Sequence, residues 1–215
     1  MIAISHSGRS LTLSDLAERF GPMPFGRIIQ HPAPGTAKEK DVLAMLRTDR
    51  LCELVDGVLV EKTMGYEESL LAAEIIFLLK VFVRPRRLGL VAAPDGLLRL
   101  AKGLVRIPDV SFVSRSRIPG GGAARRPIPN LVPNLAVEVL SEGNTEQEMA
   151  RKLHEYFDSG VELVWFFDPP SRTVRVYSAP EKCRVLKASQ TLTGGTVLPG
   201  FKVRLAEVFS VLDEL

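Results

Sequence analysis

Apolar residues recur along this chain with two periods. Between residues 66 and 83 they fall at helical spacing: Leu71, Ile75, Leu78 and Phe82 form one stripe, widened by Leu70 and Leu79. That spacing predicts an amphipathic helix ended by Pro85. The Thr145-Glu146-Gln147-Glu148 capping box opens a second helix to about Ser159, with Gly160 past its end and Met149, Leu153 and Tyr156 on its buried side. Elsewhere short apolar runs are separated by turn residues, which predicts strands. Residues 52–61 read as a hairpin folded at Asp56-Gly57, both of which tolerate positive φ. Strands are predicted at 90–93, 97–100, 104–107, 109–113, 135–140 and 163–167. Residues 173–177 pair back on the last of these, weaker strands lie near 184–187 and 196–203, and a short helix closes the chain at 205–212.

The first fifty residues read differently. Thr12-Leu13-Ser14-Asp15 opens a short helix to Gly21, prolines at 22, 24, 32 and 34 interrupt regular structure, and Thr36-Ala37-Lys38-Glu39 has the capping-box pattern for a helix to about Arg47. The expected organisation is a helical appendage over residues 1–48 and one α/β domain over 49–215. In that domain a mixed, mainly antiparallel sheet is flanked by the 66–83 and 146–159 helices. Residues 135–167 fit a right-handed parallel crossover.

Bulk properties narrow the setting. A chain of 215 residues, 46% hydrophobic and 25% charged, suits a globular domain with one good core. A net charge of +3 is compatible with a polyanionic partner without requiring one. Cys52 and Cys183 match no metal or redox spacing and read as free thiols. The most apolar run, 70–83, carries Glu74 and Lys80 and is too short to span a bilayer. Met1 to Arg9 lacks the pattern of an export signal, so the expected location is cytoplasmic.

The candidate chemistry lies between Arg106 and Lys152. Glu138 sits inside an apolar strand, on a face otherwise made of Ala136 and Leu140. A buried carboxylate must be paired, coordinated or solvated through a cleft. Asp109 follows Pro108 at the start of another apolar strand; it reads either as a turn aspartate or as a ligand for a hard cation such as Mg²⁺. Lys152 lies beside the buried stripe of its helix. It could pair with Glu148 four residues earlier, or reach over the sheet end to stabilise charge on phosphorus. The Gly120-Gly121-Gly122 run lacks the lysine and hydroxyl residue of a phosphate loop and reads as a flexible loop. Arg125 and Arg126 are candidate phosphate contacts, as are the arginines at 84–87 and 115–117, and all are equally compatible with a solvated surface. Trp165 reads as core.

Five segments occur in a telling order: Glu53-Leu54-Val55-Asp56-Gly57; Pro108-Asp109-Val110; Val137-Glu138-Val139-Leu140-Ser141; Lys152 with Tyr156; and Gly160 to Pro169. With the tail Leu192-Thr193-Gly194-Gly195 to Leu198-Pro199-Gly200-Phe201, they resemble the Uma-two family of the PD-(D/E)XK nuclease superfamily over roughly residues 49–209. The resemblance implies a restriction-endonuclease-like fold and a divalent-metal-dependent DNA endonuclease. Asp109 and Glu138 would hold Mg²⁺, or Mn²⁺ in its place; the expected partners are DNA and a second copy of the chain. The superfamily's usual lysine position is Leu140 here, and the resemblance suggests that Lys152 fills its space. A histidine common near the start of the 66–83 helix is absent; Glu67 or Glu68 there is either a further acid at the site or ordinary helix N-terminal charge. The displaced lysine and absent histidine motivate the alternative of a catalytically silent scaffold that binds DNA or a protein partner.

Overall fold

The computed structural model describes residues 10–118, 120 and 125–214. The segment at 1–9 and the Gly121-Gly122 part of the glycine run lie outside them. The described chain runs α1 (Leu13–Phe20), α2 (Glu39–Leu46), the hairpin β1 (Cys52–Val55) and β2 (Val58–Glu61), then α3 (Tyr66–Arg86). There follow β3 (Gly89–Ala92), β4 (Leu98–Ala101), β5 (Leu104–Arg106), β6 (Val110–Ser114) and β7 (Leu135–Val139). The remainder is α4 (Glu146–Asp158), β8 (Leu163–Asp168), β9 (Thr173–Ala179), β10 (Lys182–Lys187), β11 (Thr191–Gly194), β12 (Leu198–Arg204) and α5 (Leu205–Phe209).

The strands divide among three sheets rather than the one the sequence pattern suggests. A six-stranded sheet has the order β10-β9-β8-β7-β6-β3, a four-stranded sheet β2-β1-β5-β4, and β11 pairs with β12 alone. Residues 94–96 carry the chain from β3 in the large sheet to β4 in the smaller one. In the large sheet β7 and β8 are parallel and joined through α4, while the other pairs are antiparallel.

Alternation along β7 sets the layers. Leu135, Val137 and Val139 face the core built by Leu71, Ile75, Leu79 and Val83 of α3, together with Trp165, Phe167 and Phe201. Trp165 stacks on Phe201 with ring centroids 6.0 Å apart, inside this core. Ala136 faces the opposite core, which holds Met149, Leu153 and Tyr156 of α4. The two helices thus cover opposite faces, and Glu138, in phase with Ala136, points to the α4 side.

The hairpin turn at Asp56-Gly57 has φ of 50° and 74°, the left-handed pair the sequence predicts. A Cβ at Gly57 would meet the Gly35 carbonyl at 2.5 Å, so this glycine also permits close approach of the preceding segment. The Gly57 carbonyl there accepts from Gly35 and Ala37. Leu16, Phe20, Met23 and Ile28 pack on Val55, Val58 and Val60 of the hairpin.

Three boundaries differ from the sequence pattern. Pro85 lies inside the last turn of α3, where a missing N–H costs one hydrogen bond, and the helix ends instead at Arg87 with φ of 53°. At α2 the cap is Lys38, whose backbone N–H is held by Asp41 at 2.7 Å, while the Thr36 hydroxyl donates back to Ala33. The stretch predicted at 196–203 forms one strand, β12, that starts at Leu198, and the preceding β11 pairs back on it.

Candidate active site

The register of β6 against β7 pairs Val110 with Val137. Continued by one residue it sets Asp109 beside Glu138, at the end of the sheet nearest the β1–β2 hairpin. Both acids are 3% exposed, so their charge must be matched within the fold.

The match comes from four directions. Asp109 Oδ2 accepts the backbone N–H of Val139 at 2.6 Å, and Oδ1 lies 2.9 Å from Lys62 Nζ. Lys62 also donates to the Ile107 carbonyl at 2.6 Å and stands 3.6 Å from Glu138 Oε2. Lys152 Nζ meets the same Glu138 oxygen at 3.2 Å, and the Tyr156 hydroxyl donates to Glu138 Oε1. Lys152 and Tyr156 are four apart on α4, so both project from one face onto the acid.

A third carboxylate closes the group. Glu53, inside β1, lies 3.5 Å from Lys152 and 2.6 Å from Arg106 Nη1, and accepts the Ile107 N–H at 3.0 Å. Arg106 also binds Glu155, which Arg151 holds at 2.7 Å; Arg151 in turn reaches Asp56 of the hairpin turn at 2.6 Å. The hairpin, β5 and α4 are therefore joined through charge as well as through packing.

The electrostatics follow from burial. Burial pushes Asp109 up, Lys62 opposes this, and the nearby Glu138 charge adds to the rise. Burial would raise Glu53 too, but Lys152, Arg106 and Lys62 overcome it and hold its carboxyl below the usual range. Burial would lower Lys62, yet Glu138, Asp109 and Glu53 keep it firmly protonated. Burial and the facing Glu138 charge raise Tyr156, so it stays a donor.

Asp109, Glu138 and Lys152, named from sequence, thus converge. The i, i+4 pairing of Lys152 with Glu148 does not form: Glu148 is engaged by Arg27 through two bonds of 3.0 Å, while Lys152 turns inward. Glu67 and Glu68 stay at the N-terminus of α3 and make no hydrogen bond or ion pair to this group among the described residues. The Glu68 carboxylate folds back over Gly65, where an added Cβ would lie 2.2 Å from it. Arg125 and Arg126 are exposed on the loop before β7. Arg117, by contrast, holds the carbonyls of Pro133 and Gly160 at 3.1 and 2.9 Å and serves the fold.

Sequence reading missed Lys62, Glu53 and Arg106. Glu53 and Arg106 carried the signal that exposed Glu138, a charge within an apolar strand. Lys62 had none, since it follows β2 in a stretch without periodicity.

Among the described residues no three His, Cys, Asp or Glu side chains are grouped to hold a metal ion. The donor set on offer is two carboxylates with the Ile107 carbonyl beside them. This fits a hard cation of the Mg²⁺ kind, which takes one or two carboxylates and completes its shell with water and phosphate oxygens.

Paired strand-end carboxylates beside a lysine, on a mixed sheet covered by helices on both faces, define a restriction-endonuclease-like protein. The fold matches a crystal structure described as a putative nuclease belonging to DUF820 from Anabaena variabilis, with a TM-score of 0.67 and 20% identity, covering 76% of this chain and 92% of that one. The model of the Uma2 (Uma-two) family, described as "Putative restriction endonuclease", matches residues 39–206, and the chain belongs to that family. No curated protein matches the sequence. No helix among the described residues is long and apolar enough to cross a membrane.

Proposed function

We propose that the protein is a Mg²⁺-dependent DNA endonuclease that hydrolyses phosphodiester bonds. The observation that carries this reading is the convergence of Asp109 and Glu138, from neighbouring strands, on one ammonium 2.9 and 3.6 Å away. Asp109 and Glu138 would hold the divalent ion, which would lower the pKa of a bound water and stabilise charge developing on phosphorus.

The chain's own groups prepare that chemistry. The Val139 N–H fixes the direction of Asp109, and Tyr156 fixes Glu138. Glu53 and Glu138 both hold Lys152, at 3.5 and 3.2 Å, so the ammonium is positioned before substrate arrives. A positioned ammonium there stabilises the negative charge that phosphorus gathers in the transition state. Arg125 and Arg126, exposed on their loop, are suited to contact phosphates beyond the scissile one.

One observation favours a second reading, a silent scaffold that binds DNA or a protein partner. All four oxygens of Asp109 and Glu138 already face internal donors or ammonium groups. Nicking of supercoiled DNA with Mg²⁺ separates the two: the endonuclease nicks and Asp109→Ala does not, whereas the silent scaffold gives equal traces for both proteins.

A further inference from the structure

Lys62 stands on the short segment between β2 and α3, outside any helix or strand. Its ammonium is 2.9 Å from Asp109, 3.6 Å from Glu138 and 2.6 Å from the Ile107 carbonyl oxygen. A carboxylate from each strand and a backbone carbonyl are the hard oxygen donors a divalent cation would use. The ammonium therefore occupies the place such an ion would take.

We propose that Lys62 is the resident cation of this centre, and that a divalent ion binds only when Lys62 swings out. The inference rests on the metal-dependent reading above and adds a built-in competitor to it. The Lys62 ammonium and a divalent ion cannot both occupy the one position between Asp109, Glu138 and the Ile107 carbonyl, because two cations at contact distance repel strongly in a water-poor site. The present group is balanced, with Glu53, Asp109 and Glu138 facing Lys62, Lys152 and Arg106. Exchanging Lys62 for a divalent ion leaves one surplus positive charge, which suits a phosphodiester anion. The ion and the phosphodiester thus bind better together than either does alone.

The exchange needs no refolding. The backbone N–H of Lys62 is bonded to the Leu51 carbonyl at 2.8 Å, and the next residue, Thr63, is exposed. The side chain is 8% exposed, and rotation about its four-carbon stem is the motion that would carry the ammonium to solvent.

Two measurements test this on the metal alone. In the wild-type protein, acylation of lysines read by mass spectrometry should find Lys62 protected without metal and labelled with Mn²⁺, while Lys152 stays protected throughout. By calorimetry Lys62→Met should bind Mn²⁺ roughly tenfold tighter or better, because the competing state is removed. Lys62→Arg, which keeps a cation in place, should bind no tighter than wild type. Lys62 labelling that does not change while Mn²⁺ binds would overturn the inference. So would equal Mn²⁺ affinity of wild type and Lys62→Met, both lost with Asp109→Asn; that result leaves the metal site itself standing. Absence of Mn²⁺ binding in both proteins, or binding by Lys62→Met that survives Asp109→Asn, would remove the metal site and the inference with it.

Discussion

Asp109 Oδ2 accepts the backbone N–H of Val139 at 2.6 Å, the residue directly after Glu138. This bond ties the side chain of one acid to the strand that carries the other. The direction of Asp109 is thereby set by the neighbouring backbone, while Glu138 is held by Tyr156 and Lys152. If the pair holds a small cation as proposed, it needs that kind of support.

Metal binding to this pair should stabilise the fold by mass action. At a Mg²⁺ or Mn²⁺ concentration of a hundred times the dissociation constant, the gain is about 2.7 kcal/mol. Thermal melts should show this shift in wild type and lose it in Glu138→Ala, each measured against its own metal-free baseline. Equal shifts in the two proteins would remove Glu138 from the site.

Tyr156→Phe isolates the support given to Glu138. It deletes one hydroxyl that donates to a buried carboxylate and leaves the ring packing intact. The expected loss is about 1.5–3 kcal/mol in urea unfolding, as for a hydrogen bond to a charged group. A loss below a few tenths would mean that water replaces the hydroxyl.

Glu53 predicts a pH dependence. Its folded pKa lies below the unfolded value of 4.5, because Lys152, Arg106 and Lys62 outweigh the cost of burial. The carboxylate therefore contributes stability that is fully present above the unfolded value and is lost as pH falls through the folded one. Asp109 works the other way: its folded value is raised above 3.8, so its ionisation costs stability as pH rises from there, which offsets part of the effect. Glu53→Gln should lower stability near neutral pH by about 3–5 kcal/mol, since it strips a partner from buried cations. It should also flatten the acid limb of the stability curve below pH 4.5. An acid limb identical to wild type would show that Glu53 is not ionised in the fold.

DNA affinity, if it arises from phosphate contacts, should fall with salt. Arg125→Ala with Arg126→Ala should weaken binding on every sequence and reduce the slope of log affinity against log salt by about two, one for each arginine removed. Binding that ignores ionic strength would point to a protein partner instead.

The parts of the site legible in the sequence share one signal, a charge where alternation demands an apolar residue. Glu138 between Val137 and Val139 is the clearest case, and its face follows from the period of β7 alone. Its distance from Asp109 was not legible, because 28 residues lie between the two acids and only pairing of β6 with β7 closes that gap. Helix spacing alone left Lys152 with two possible partners, and only tertiary structure gives Glu148 to Arg27, 121 residues away, and turns Lys152 to Glu138. The sheet was divided more than expected for a similar reason: local pattern marks strands but not which strand each one joins. Lys62 shows the limit most clearly, since a lysine in an aperiodic stretch becomes the hub of the centre only through bonds to residues 45 or more positions away.

Lys152 must act on substrate, and not only on structure, if this centre cleaves DNA as proposed. The measurement is single-turnover cleavage of plasmid and oligonucleotide DNA, with Mg²⁺ and with Mn²⁺, by wild type, Asp109→Ala, Lys152→Ala and Lys152→Arg. Mn²⁺ affinity and melting are recorded for each protein alongside. Wild type should cleave and Asp109→Ala should not. Lys152→Ala should keep metal binding and cleave about 10²–10³-fold more slowly, as when one electrostatic stabiliser is lost. Lys152→Arg should recover little, since a planar guanidinium does not reproduce a compact ammonium. Cleavage by a folded, metal-binding Lys152→Ala at the wild-type rate, or a wild type no more active than Asp109→Ala on every substrate, would contradict this role for Lys152 and its two acids.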